Sequence, residues 1–80
     1  MASFNYGWWT IDIVYEGGCK YSTEFKGKTK DSVIRQIRKF AEYCNSEENL
    51  SKPVWLRKQR VLSVEWDTLK LDRTGYQRLS

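Results

Sequence analysis

Trp8-Trp9-Thr10-Ile11-Asp12-Ile13-Val14-Tyr15 runs through Glu16-Gly17-Gly18 into Cys19-Lys20-Tyr21-Ser22-Thr23-Glu24-Phe25-Lys26. Trp9, Ile11, Ile13 and Tyr15 alternate with Trp8, Thr10, Asp12 and Val14, the period of two that a half-buried strand requires. Cys19, Tyr21, Thr23 and Phe25 repeat that alternation beyond the glycines, so the stretch is a hairpin. A two-residue Gly17-Gly18 turn would set Ile11 opposite Glu24 and Ile13 opposite Ser22, which mixes the faces. A three-residue loop, Glu16-Gly17-Gly18, sets Tyr15 opposite Cys19, Ile13 opposite Tyr21, Ile11 opposite Thr23 and Trp9 opposite Phe25. One apolar face results, and because a one-residue slip turns every side chain over, burial selects this register. The loop needs a positive φ near its end, which Gly18 supplies.

Working outward, Gly27 closes the second strand and Thr29 stands as a helix N-cap, with Asp31 in the first turn where the helix dipole favours it. Val33, Ile34, Ile37, Phe40, Ala41 and Cys44 then recur at helical spacing and predict an amphipathic helix over about residues 30–46. Asn45-Ser46 and the polar stretch to Pro53 end it. Residues 61–66 read as a third strand with Leu62, Val64 and Trp66 inward. After a turn at Asp67-Thr68, Leu69 and Leu71 suggest a short fourth strand. Periodicity does not decide whether Trp55 to Gln59 is helix, loop or strand. Thr74 to Ser80 read as a tail. The expected architecture is α+β: an antiparallel sheet of three to four strands with one helix on one face, ordered ββαβ(β). A crossover through the helix places the third strand beside the first, giving spatial order 2-1-3.

The 80 residues form one domain, 1–80, with a thin core that four Trp, five Tyr and three Phe must thicken. No apolar run is long enough to span a membrane, and no basic-then-apolar start marks a secretory signal. Cys19 and Cys44 are too few for a disulfide framework and fit a reducing, cytoplasmic setting; both fall on inward faces as apolar filler. Asn49-Leu50-Ser51 matches a glycosylation triplet that lacks the secretory context it needs.

Catalysis finds little support. The chain has no histidine, hence no commonest general base or metal ligand, and two cysteines 25 positions apart do not make a zinc site. Gly27-Lys28-Thr29 after a strand echoes the end of a phosphate-binding loop, but the glycine needed five positions upstream is Ser22. Asp12 near Ser22, Thr10 near Glu24, and the pair Glu65 and Asp67 lie on an open face that offers no cleft to separate their pKa values. We therefore read the chain as non-enzymatic, with no cofactor and no metal.

Three surfaces are candidates for binding. Trp8 must face away from the helix if Trp9 faces it, with Tyr6 continuing its phase and Lys26 opposite, placed for a cation–π contact. Arg35, Arg38 and Lys39 mark a basic helix face, with Lys28 and Lys30 near its start. Trp55 is interleaved with Arg57, Lys58 and Arg60 in a third segment opened by Lys52. These compositions suit an acidic protein surface or a nucleic acid, whose phosphates take the cations while bases stack on the rings. The alternative for each is a solvated, mixed-charge surface or, for Trp8, cover for a folded-back terminus. The net charge of +4 is modest, but the basic residues fall in two blocks with Glu42, Glu47 and Glu48 between them.

The hairpin, Gly27-Lys28-Thr29 and the amphipathic helix followed by strands resemble the layout of small phage-encoded anti-CRISPR proteins, over roughly residues 8–67. Several members of that group are single α+β domains without a catalytic motif. The resemblance implies an inhibitor that blocks a host nucleoprotein defence complex by masking a site or mimicking a partner. The basic balance opposes mimicry of DNA. No functional residue carries over. The expectation is a protein-binding module; direct nucleic-acid binding is the alternative, and a homodimer through the open face or an edge strand is the third reading.

Overall fold

The computed structural model describes residues 7–72. Strand β1 (Gly7–Tyr15) turns through Glu16–Gly18 into β2 (Lys20–Gly27). The register is the one burial selects: Trp9 opposite Phe25, Ile11 opposite Thr23, Ile13 opposite Tyr21. The Tyr15 N–H donates to the Cys19 carbonyl at 2.7 Å across a three-residue loop. Both glycines, not Gly18 alone, take positive φ, 86° at Gly17 and 83° at Gly18.

Helix α1 (Lys30–Cys44) begins where its cap predicts, the Thr29 hydroxyl accepting from the Ser32 N–H at 3.1 Å. Its inward stripe, Val33, Ile37 and Cys44, is wholly buried against Ile11, Ile13 and Val61, with Trp9, Phe25, Phe40, Ala41, Val64 and Leu69 packed around them. Phe25 and Phe40 meet edge to face at 5.7 Å between ring centres. At Gly27 the helix comes so close that a Cβ would stand 2.6 Å from Val33 Cγ2. A single further turn, α2 (Glu47–Leu50), follows, capped by Ser46, whose hydroxyl accepts from the Asn49 N–H.

The last strand, β3 (Val61–Asp72), lies beside β1 and completes an antiparallel sheet of order β2-β1-β3. This corrects two expectations. Among the described residues there is no separate fourth strand: Leu69 to Asp72 continue along β1, and the expected turn at Asp67-Thr68 is a bulge inside β3. Four residues, 66–69, there oppose the single Ile11. Thr68 fills the break, accepting from the Asp12 N–H at 2.8 Å and donating to the Glu65 carbonyl at 2.6 Å. A second shift puts Val61 rather than Leu62 opposite Tyr15. Leu62 is therefore the residue turned out, 59% exposed, and Val61 is buried in its place. Trp66 keeps only partial cover, under the guanidinium of Arg38 at 5.1 Å.

Cys19, at the end of the hairpin loop, is likewise exposed and not inward filler; Cys44 is buried. Burial pushes the Cys44 thiol above its ordinary value, against the opposing pull of Lys58. No described helix is long and apolar enough to cross a membrane.

Candidate interaction surface

Between α2 and β3 the chain makes a short, tied excursion over residues 51–60. Pro53 starts a turn, its carbonyl accepting from the N–H groups of Leu56 at 2.9 Å and Arg57 at 3.1 Å. The base of the excursion is held by two asparagines. Asn49 is 0% exposed, and its amide donates to the Cys44 and Lys58 carbonyls, both at 2.8 Å, while accepting from the Lys58 N–H at 2.9 Å. Asn45 does the same for the start of β3, accepting from Val61 N–H at 2.8 Å and donating to Val61 C=O at 2.9 Å. Arg57 Nη1 reaches back to the Leu50 carbonyl at 2.9 Å, and Lys52 Nζ donates to the Tyr43 hydroxyl at 2.6 Å. That Tyr43 contact, the largest influence on Lys52, holds its ammonium charged and raises its pKa.

The result is a knuckle whose backbone is fastened and whose apolar tip is bare. Val54 is 73% exposed, Trp55 82% and Leu56 65%. Three consecutive large apolar side chains in water have no folding rationale; in a chain with so thin a core they would be buried if burial were available. Of the flanking cations, Lys52 turns to Tyr43 and Lys58 to Phe40, both on α1, while Arg60 is exposed. Lys58 Nζ lies 6.0 Å from the centre of the Phe40 ring, and the Arg60 carbonyl accepts from the Glu16 N–H at 2.9 Å, which places the end of the excursion beside the hairpin loop.

The other residues singled out from sequence lie elsewhere. Trp8 does face away from α1, opposite Lys26, whose Nζ is 5.7 Å from the ring centre. However, it is half-buried rather than an exposed platform, and Tyr6 lies outside the described residues. The distance along β1 from Trp8 to the knuckle end is about 23 Å, at roughly 3.3 Å per residue. Lys28 and Lys30 flank the helix start at the Trp8 end, exposed. Arg35, Arg38 and Lys39 are exposed along α1, but Arg38 is occupied with Trp66. The twelve sequence candidates are thus not one site. Of them, Trp55, Arg57, Lys58 and Arg60 come together in the knuckle, and within it Arg57 works as a staple more than as an exposed cation.

Sequence reasoning missed Val54 and Leu56, although an unbroken Val54-Trp55-Leu56 run after Pro53, fitting neither a helical nor a strand period, was a legible signal. It also missed the anchoring asparagines. Asn49 was noticed only as a glycosylation triplet, and the structure removes that reading, since both amide protons are consumed inside the fold.

The open sheet face carries a shallow depression of about 350 Å³ lined by Thr10, Asp12, Ser22, Asp67, Thr68, Leu69 and Lys70. The register brings Asp12 opposite Ser22 and Thr10 opposite Glu24. Among the described residues no group of three His, Cys, Asp or Glu is placed to hold a metal ion. No protein-family model, no curated protein and no solved structure matches this chain.

Proposed function

We propose that this chain is a non-enzymatic binding module that docks onto another protein through the Val54-Trp55-Leu56 knuckle. The observation that supports this is the combination of an exposed apolar tip with a backbone already fixed by Asn49, Asn45 and Arg57. A pre-ordered tip loses little conformational entropy on binding, and a tryptophan seated in a partner's pocket is the usual centre of an interface hot spot. The basic residues that flank the tip in sequence, Lys52, Arg57, Lys58 and Arg60, favour encounter with an acidic surface. The blocking role implied by the anti-CRISPR resemblance, against a host nucleoprotein complex, needs no more than such a docking tip.

Capture from host lysate followed by affinity measurement on the identified partner tests the proposal. Trp55→Ala is expected to weaken binding by about 30-fold or more, the cost of losing roughly 2 kcal/mol at a hot spot. Reversing charge at Arg35 and Lys39 is expected to alter mainly the association rate. If the helix variant abolishes binding and Trp55→Ala does not, the interface is the helix face. Generic DNA or RNA bound at low salt, with affinity falling steeply as salt rises, replaces the protein reading with a nucleic-acid one.

A further inference from the structure

The two outer strands of the sheet differ in how they end it. β3 is bulged twice, and such irregularities spoil an edge for further pairing. β2 pairs with β1 residue for residue from Lys20 to Gly27 without a shift. Its hydrogen-bonding phase follows from Tyr15 N–H to Cys19 C=O: odd-numbered residues of β2 point their backbone groups at β1, and even-numbered ones point outward. Gln36 confirms the phase by donating to the outward Lys26 carbonyl at 2.9 Å. Among the described residues, no hydrogen bond is made to the outward groups of Lys20, Ser22 or Glu24.

Those three residues form a self-complementary set. A two-fold axis at Ser22 puts Ser22 opposite its own copy and Lys20 opposite Glu24 of the second copy, twice over. Three narrow pairs exchange about six backbone hydrogen bonds. An axis at Tyr21 sets Lys20 against Ser22 and gains no opposite-charge pair, and the registers on the other side fail. An axis at Glu24 sets like charges together, and an axis at Thr23 sets Lys20 against Lys26, whose carbonyl Gln36 already occupies. In the favoured register Lys26 faces Gly18 of the other copy, where no side chain competes with Gln36. Tyr21, 57% exposed although it stands on the helix side, would pack against Thr23 of the second copy.

We infer that this chain self-associates through β2, joining two three-stranded sheets into one antiparallel six-stranded sheet about an axis at Ser22. Alternating charges on an edge strand ordinarily repel further strands; here the order Lys20, Ser22, Glu24 makes a second copy the fitting partner. The inference is independent of the knuckle, which the antiparallel arrangement leaves exposed at opposite ends of the dimer.

Sizing by light scattering on the full chain, from micromolar to millimolar, is expected to show a concentration-dependent dimer. Glu24→Lys, which keeps the intrachain Lys20–Glu65 ion pair of 3.2 Å, sets lysines opposite lysines and is expected to be monomeric. Lys20→Glu sets glutamates opposite glutamates and is expected to be monomeric too. An equimolar mixture of the two restores both opposite-charge pairs and is expected to dimerise. In a Cys19→Ser background, Ser22→Cys is expected to cross-link on oxidation, since directly opposed strand residues fall within disulfide reach. A wild-type chain that stays monomeric at millimolar concentration overturns the inference. So does a dimer unaffected by either charge variant, or a mixture that remains monomeric.

Discussion

Replacing Asn49 by alanine is the sharpest test of how the knuckle is held. The substitution removes three side-chain hydrogen bonds around a fully buried side chain and leaves the Cys44 carbonyl and both backbone groups of Lys58 without those partners. At a net 0.5–1.5 kcal/mol for each bond, the loss is roughly 2–4 kcal/mol. An 80-residue domain has on the order of 4–12 kcal/mol of stability, so a large share is at stake. With a urea dependence of about 1 kcal/mol per molar for so small a chain, the midpoint should fall by about 2 M or more, read by circular dichroism. The damage should also be directional. Arg57, Lys58 and Arg60 are tryptic sites within or beside the tied segment, and cleavage there should accelerate under native conditions before cleavage along α1 does. Leu62→Ala, on an exposed bulge residue, is the matched control and should change stability little. An Asn49→Ala protein within about 0.5 kcal/mol of wild type, with an unchanged tryptic pattern, would refute the view that this amide fixes the knuckle.

Gly27→Ala should cost about 1–3 kcal/mol by overpacking, because its Cβ meets Val33 Cγ2 at 2.6 Å; a denaturation midpoint reads it. Thr68→Val should cost a similar amount by stranding the Asp12 N–H and the Glu65 carbonyl, whereas Thr68→Ser should recover most of the loss. A thiol-reactive dye should label one cysteine per native chain quickly, Cys19, and reach Cys44 only on unfolding. Burial raises the Cys44 pKa in the folded state, so its contribution to stability is present below the ordinary thiol pKa. It is lost as pH rises through the folded value, and alkaline titration of the Cys44→Ala variant should show a shallower decline than wild type.

The hairpin and helix were legible in the sequence because their information is local. Alternation in residues 8–26 and the glycine loop define the β1–β2 register, since only one pairing gathers Trp9, Ile11, Ile13, Tyr21 and Phe25 on a single face. Thr29 and the spacing of Val33, Ile37 and Cys44 define α1 in the same way. β3 was misread because alternation presumes an unbroken ladder. Its two bulges answer to β1 across the sheet: Val61 turns in and Leu62 out, and Thr68 closes a gap opposite Ile11. The knuckle was half legible. Its composition stood in the sequence, but exposure of Val54-Trp55-Leu56 depends on Asn45 and Asn49 bonding backbone groups up to 16 residues away. Patterns of period two or 3.6 report which side of an element is wet. They do not report where a chain without periodicity is tied, and that is decided by long-range hydrogen bonds that form only when α1 and β3 are already in place.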